Sequence, residues 1–376
     1  MLKALLITLL LALPSGAQQP GADGGGIAAR FERAAELQRR GELKEAEAEY
    51  KALIAFAPQL AEAHANLGAV LARRGQYQDA VSAYEMALRL SPQLTPVWLN
   101  LGIAHYRQAR FTDAVKAFKR FLDKAPDNVQ AHQLLGISLV ELGRPVEAVK
   151  HLEFALRAVP DEPAVIYNLG LAYLSLRRSD YRTMIDRLAS FSTGLPMAHL
   201  LRGQVLLASS QYEPAAAELE KALKLNNRLP LLRYSLGLSY LWMGRYQESI
   251  TNFESELSQS PQHFPTLFYL AYLEETRGDL DKAQQHIEDA LKLEPQSAEA
   301  NSLLGKILVK QNRVAEAVTP LETAVANDPL DSTKRYLLAR AYQQLRRHKD
   351  AAREFTEVRR LKAQKLEAEK PRIPKP

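Results

Sequence analysis

The sequence predicts an all-α fold, a right-handed superhelical solenoid of about ten helix-turn-helix repeats, and three periodic observations predict it. Gly68 recurs in steps of thirty-four as Gly102, Gly136 and Gly170, takes one step of thirty-three to Gly203, and resumes through Gly237, Ala271, Gly305 and Ala339, with Ala34 one step before it. Alanine recurs in the same way at Ala46, Ala80, Ala114, Ala148, Ala215, Ala283, Ala317 and Ala351. Proline recurs at Pro58, Pro92, Pro126, Pro160, Pro261, Pro295 and Pro329, where it closes one helix and opens the next connection. A glycine inside a helix is worse than alanine by roughly 0.5–1 kcal/mol. Its return at one phase therefore marks helix axes that cross too closely for a larger side chain. A single helix pair is too small to bury its own apolar stripe, so each pair stacks on its neighbours.

From the N-terminus, residues 1–17 (MLKALLITLLLALPSGA) carry Lys3, an apolar run from Ala4 to Leu13, then Pro14 and small residues. Ser15 and Ala17 fit the small-x-small cleavage pattern of an export signal, and the apolar run is shorter than the roughly 18–20 residues that span a bilayer. No integral span is expected after signal cleavage. Residues 18–26 (QQPGADGGG) read as a flexible linker, and because no strand precedes those glycines they are not a phosphate-binding loop. The repeats fill residues 27–365, beginning at Ile27, Ala61, Thr95, Val129, Pro163, Pro196, Pro230, Phe264, Ala298 and Ser332, and residues 366–376 form a basic tail.

Counted from those starts, position seven is leucine in Leu67, Leu101, Leu135, Leu169, Leu236, Leu270, Leu304 and Leu338, and position eight is the small residue. Position twenty is the recurring alanine. Position twenty-four is large and apolar in Tyr50, Tyr84, Phe118, Leu152, Leu219, Phe253, Ile287, Leu321 and Phe355. Gly41, Gly75, Gly143, Gly244 and Gly278 supply turns between paired helices. The fifth unit is irregular: in RRSDYRTMIDRLASFSTGL (177–195) one residue and the packing alanine are missing, which predicts a kink or a looser second helix and a hinge between two halves.

This pattern resembles the tetratricopeptide repeat (TPR) family, whose signature is a large residue at position four, Leu-Gly at seven and eight, then Tyr, Ala, Phe/Tyr, Ala and Pro. The resemblance covers about residues 27–365. It departs from the family in keeping tryptophan at position four only as Trp98, and in Arg33-Ala34, which replace Leu-Gly in the first unit. The resemblance implies a concave face lined by positions two, five, nine, twelve and thirteen of each first helix. In the middle units that row is apolar: Leu99, Ile103, Tyr106, Ile137, Val140, Tyr167, Leu171, Leu174, Leu200, Leu207, Tyr234, Leu238, Leu241, Trp242, Phe268 and Tyr272. It implies a groove for an apolar segment of a partner protein, with the aromatic members as anchors. Asn66, Asn100 and Asn168 at position six are the implied peptide-backbone contacts. The lysine and asparagine of the family's carboxylate clamp are absent from positions five and nine, which hold Ala65/Ala69, Leu99/Ile103 and Tyr167/Leu171.

Nothing in the spacing suggests an enzyme, a metal site or a cofactor. The eight histidines form no HExxH, and His64, His132 and His199 occupy the packing slot at position four. Glu274/Glu275 read as a solvated helix face or a repeat-junction contact. The chain has no cysteine, hence no disulfide and no thiolate ligand. Loss of Lys3 with the leader leaves 48 basic against 43 acidic residues, a mild +5, and the basic excess sits in residues 359–376 rather than along a groove with interleaved aromatics, so a nucleic-acid partner is not expected. The reading is a non-enzymatic scaffold or adaptor of the bacterial envelope, exported to the periplasm. The alternatives are a substrate-recognition subunit of a separately encoded envelope enzyme or polymer-export system, and a self-assembling homo-oligomer. Cleavage after Ala17 is the expected processing, and mass spectrometry of the exported protein should find Gln18 as its N-terminus.

Overall fold

The computed structural model describes residues 24–192 and 194–369. The predicted leader, residues 18–23 of the predicted linker and residues 370–376 of the predicted tail lie outside them. Among the described residues there are twenty α-helices and no strand. The chain divides between Leu201 and Arg202 into two compact units.

In the first unit five helical hairpins follow one another: α1 (Gly24–Arg40) with α2 (Leu43–Phe56), α3 (Ala61–Arg73) with α4 (Tyr77–Leu90), α5 (Thr95–Arg107) with α6 (Phe111–Leu122), α7 (Val129–Glu141) with α8 (Pro145–Ala158), and α9 (Pro163–Ser175) with α10 (Tyr181–Ala189). Helix α11 (Leu195–Ala208) carries the division. The second unit continues with α12 (Tyr212–Leu225), then α13 (Leu232–Trp242) with α14 (Tyr246–Gln259), α15 (Phe264–Arg277) with α16 (Leu280–Leu293), α17 (Ala298–Lys310) with α18 (Val314–Asn327), and α19 (Ser332–Gln344) with α20 (His348–Glu369). Within each unit first helices pack on their own second helices, and second helices on the first helix of the next hairpin, for example α3 on α4 and α4 on α5.

Helix α1 begins at Gly24, which corrects the linker boundary: Gly24, Gly25 and Gly26 are helical. Glycine is costly in a helix interior, whereas the first turn has no intrahelical partner for its N–H groups to lose. Later starts are set by their own signals. Asn128 Oδ1 accepts from the Ala131 N–H at 2.8 Å, Asp331 accepts from Thr333 and Lys334, and proline occupies the first turn of α5, α8, α9 and α15.

The structure shows what the recurring glycine touches. A Cβ placed on Gly102 would stand 2.5 Å from the Phe118 ring, and one on Gly237 would stand 2.4 Å from the Phe253 ring. Gly68 meets Tyr84, Gly136 meets Leu152, Gly203 meets Leu219 and Gly305 meets Leu321 in the same way. Position eight of a first helix is therefore the socket for position twenty-four of its own second helix, and most of these large residues are fully buried. The alanines at position twenty are buried as well, closing the hairpin beside that socket.

Repeat five solves the same problem differently. Its position twenty-four is Asp186, and Gly170 is met instead by Leu201 of α11, at 2.5 Å from an added Cβ, and by Met184. Helix α10 is nine residues long against fourteen in α8, in keeping with the predicted irregularity. The division into units falls in α11, beyond 177–195.

Two further devices join consecutive hairpins. At position four the side chain donates to the carbonyl of the proline six residues earlier: Trp98 Nε1 to Pro92 at 3.4 Å, Arg335 Nε to Pro329 at 2.9 Å, Asn301 Nδ2 to Pro295 at 3.0 Å. His64 and His132 do the same to Pro58 and Pro126 through Nε2, at 2.9 and 2.7 Å. Four chemically different donors fill this slot, because its requirement is one N–H at one place rather than an aromatic ring. The second device uses Tyr173, Tyr240 and Tyr342, whose hydroxyls donate to Glu153, Glu220 and Glu322 of the preceding hairpin at 2.8, 2.6 and 2.5 Å. Arg178, Arg245 and Arg347 stack on those same rings at 4.3, 4.5 and 4.2 Å from the centroids.

Position fifteen, where the chain turns from first to second helix, takes a positive φ in all ten repeats. Gly75 adopts +78°, while Ala109, Arg177, Ser210, Asn312 and Arg346 sit between 55° and 63° where the other repeats have glycine. The left-handed turn is thus imposed by hairpin geometry even on residues that resist it. The socket makes a sharper demand, since Phe118 has no room to retreat. Gly102→Ala should lower stability by about 1–3 kcal/mol, measured as a fall in the urea midpoint with α5 and α6 losing hydrogen-exchange protection.

Candidate functional site

The row implied for partner binding is far more buried than its composition suggests. Leu99, Ile103, Ile137, Tyr167, Leu200 and Leu241 are buried, and Tyr106, Val140, Leu171, Leu174, Leu207, Tyr234, Leu238 and Phe268 are half-buried. Trp242 and Tyr272 stand out, at 57% and 42% exposed. The reason is lateral packing within each unit. Successive first helices touch one another, as α5 with α7, α7 with α9, and α15 with α17, so side chains on the flanks of the row are consumed by the adjacent helix.

Tyr234 illustrates the correction. Its ring lies 4.9 Å from His263, edge-on, and 5.9 Å from Phe253, the residue that fills the Gly237 socket. Burial pushes its phenol above the ordinary range, with Tyr269 adding to the effect. This ring belongs to the hairpin core more than to a binding surface. Trp242, by contrast, lies at the end of α13 with one face stacked on Tyr212, centroids 6.2 Å apart and planes 24° from parallel, and over half of its surface open.

The asparagines at position six face inward. Asn66 is fully buried and its amide donates to the Tyr50 hydroxyl, and Asn168 Nδ2 donates to the Ala164 carbonyl at 2.8 Å. Asn100 is 6% exposed. The amides of Asn66 and Asn168 thus satisfy polar groups of the scaffold itself. Sequence reasoning missed Tyr336, at position five of the last repeat and 42% exposed, and Glu141, at position thirteen of the fourth. The register alone could have placed both on the row.

Glu274 and Glu275 are buried, which removes the reading as a solvated face and leaves the repeat-junction contact. Glu275 on α15 receives Lys306 at 2.9 Å and Lys310 at 2.5 Å from α17. Glu274 Oε2 lies 2.8 Å from His286 Nδ1 on α16. Two neighbouring carboxylates are therefore tied to different helices by different cations and do not face a common reacting centre. His132 and His151 approach Nδ1 to Nδ1 at 2.8 Å. Because His132 Nε2 donates to Pro126, its Nδ1 is the acceptor and His151 the donor in the neutral pair. Burial first, and His132 second, lower His151 to about 4. Among the described residues no group of three or more His, Asp or Glu side chains is placed to hold a metal ion, and no helix is long and apolar enough to cross a membrane.

Stacked two-helix units keyed by a small residue define a helical repeat scaffold, with no assembled reaction centre among the described residues. Tetratricopeptide repeat models match residues 61–94, 99–163, 134–180 and 268–332, and a model for subunit 3 of the anaphase-promoting complex, cyclosome, matches residues 182–256. The chain belongs to the tetratricopeptide repeat family, whose members mediate protein–protein interaction. It is 26% identical over 184 residues to anaphase-promoting complex subunit 3 of Schizosaccharomyces pombe, covering 48% of this chain and 28% of that protein. It thus spans under a third of that relative's length. Among solved structures, the Cut9-Hcn1 hetero-tetramer of the same complex is 15% identical, with 86% of this chain and 65% of the other covered and a TM-score of 0.52. An IFIT1 monomeric mutant is 14% identical, with 89% and 90% covered and a TM-score of 0.52. Both share the fold.

The His286–Glu274 pair gives the second unit a pH response. The Glu274 hydrogen bond, reinforced by Asp289 and Glu254, raises His286 above its ordinary range against the opposing effect of burial. A raised histidine stabilises the fold fully below its unfolded pKa of about 6.5, and the contribution is lost as pH rises through the elevated folded value. His286→Gln should therefore cost roughly 1–2 kcal/mol near pH 6 and progressively less in alkaline buffer, as read from urea unfolding across that range.

Proposed function

We propose that this chain is a non-enzymatic scaffold of the bacterial envelope that holds a segment of a partner protein against its first helices. The observation that carries the reading is the pair of exposed aromatics on the second unit's row, Trp242 and Tyr272, at positions thirteen and nine of consecutive repeats. Large rings left open on the row that the family uses for recognition are the residue types that dominate binding energy at protein interfaces. The anchoring role moves to these two, together with Tyr336, and away from Tyr234. The named assemblies of the relatives, a complex subunit and a hetero-tetramer, support a scaffolding role. The envelope setting rests on the leader pattern in residues 1–17 and on the lack of cysteine.

Because Trp242 and Tyr272 are exposed, replacing both leaves the hairpin sockets intact. The double variant Trp242→Ser, Tyr272→Ser should retain full helicity by circular dichroism while capturing at least roughly tenfold less partner from a photoreactive residue placed at position 276 in the living bacterium. Undiminished capture by that variant would remove the row from the interface.

A further inference from the structure

Within the second unit the first-helix row changes character from one repeat to the next. Trp242 and Tyr272 hold positions thirteen and nine of the seventh and eighth repeats, Lys306 and Lys310 hold nine and thirteen of the ninth, and Arg340 holds nine of the tenth. The other charged residues at row positions of these repeats are Glu275 and Glu299. Glu275 is fully buried where α15 meets α17, and it draws in both lysines. Lys306 Nζ stands 2.9 Å from its Oε2, while Lys310 Nζ stands 2.5 Å from Oε1 and donates to the Glu275 carbonyl at 3.2 Å. Glu299 lies at the opposite end of α17, at position two, where Lys334 reaches it at 3.5 Å and also binds Asp328 and Asp331. The row is therefore acidic where α17 starts and basic where it ends.

At the basic end two ammonium groups stand against one carboxylate, so one positive charge is left over, and both lysine side chains remain nearly half exposed. A lysine ordinarily gives up rotamer freedom when it binds an anion. Here the buried carboxylate already holds both Nζ atoms, so an incoming anion meets donors that are ordered beforehand. Arg340 extends the charge onto α19, which touches α17. It is exposed, and among the described residues no carboxylate lies within ion-pair distance of it. Open rings on Trp242 and Tyr272 thus adjoin a run of partly exposed cations along one row. We infer that the second unit takes an internal segment of a partner protein in which acidic side chains adjoin apolar ones. The apolar residues lie on Trp242 and Tyr272, and the carboxylates on Lys306, Lys310 and Arg340. This rests on the partner-segment reading above and gives that partner its charge. Charge complementarity decides the class, since a basic segment would meet the uncompensated cations.

The test is selection of a random twelve-residue library, displayed inside a carrier loop so that no free terminal carboxylate is offered, on the full-length protein and on two double variants. Lys306→Gln with Arg340→Gln removes two partly exposed charges and leaves Lys310 on Glu275, so its circular dichroism and urea midpoint should stay close to the parent's. Trp242→Ser with Tyr272→Ser removes the rings. The expected result is a set of parent binders enriched in aspartate or glutamate beside apolar residues, with the acidic enrichment lost on the charge variant. For the best binder, the charge variant should weaken binding roughly tenfold and flatten its dependence on salt. Replacing the binder's acidic residues by the corresponding amides should do the same on the parent, with little further loss when both are changed. Should Lys306→Gln disturb the fold, Arg340→Gln alone, which has no ion pair to lose, should give a smaller loss of the same kind. Binders without acidic enrichment, or with enrichment that survives on the charge variant, overturn the role of the cations. If those binders still lose affinity on the ring variant, partner binding by the row stands. Failure to recover any peptide from the parent counts against both readings.

Discussion

The contact between the small residue at position eight and the large residue at position twenty-four is the constraint on which the other features depend. It brings two helices to a separation at which a single methyl group would collide with a ring or an isobutyl group, and it repeats within hairpin after hairpin, from Gly68 on Tyr84 to Gly305 on Leu321. With the hairpin closed at that distance, the connecting residue must take a left-handed backbone. Ala109, Arg177 and Arg346 therefore adopt it at a cost that glycine at Gly75 avoids. The proline carbonyl at the end of a hairpin then lies within reach of position four, as at Pro58, Pro92, Pro126, Pro295 and Pro329. Tryptophan, histidine, asparagine and arginine all serve there because the geometry asks only for a donor.

The same close packing explains why so little of the apolar row remains available. First helices set side by side bury their flanks, so residues whose chemistry suggests a binding wall, such as Tyr167 and Leu200, are part of the scaffold. Large apolar side chains that remain open on the row are few, Trp242, Tyr272 and Tyr336 among them. Charges follow a similar rule. Glu275 is buried where Lys306 and Lys310 reach it from the next first helix.

Periodicity made the architecture legible residue by residue. The phase of Gly68, Ala80 and Pro92 sets the hairpin, and the loss of that phase in 177–195 marks the short α10. What the spacing could not reveal was direction. Tyr234 and Trp242 are both large aromatics on the implied row, yet the first is drawn against Phe253 and His263 and the second faces solvent. Asn66 was equally ambiguous, because an amide that could hold a peptide backbone can as well satisfy the Tyr50 hydroxyl. The linker boundary was misplaced by three residues because glycine signals flexibility in composition, while a helix's first turn asks little of side chains.

By itself the sequence determined the helical hairpin, its number, its register and its family, since each is written in residue type at a fixed interval and enforced by contacts within one or two repeats. Only the tertiary structure decided which side chains on the shared row are spent on neighbouring helices and which remain open. Exposure depends on how adjacent first helices lie against each other, a distance set by the sum of many packed side chains and by no single recurring letter.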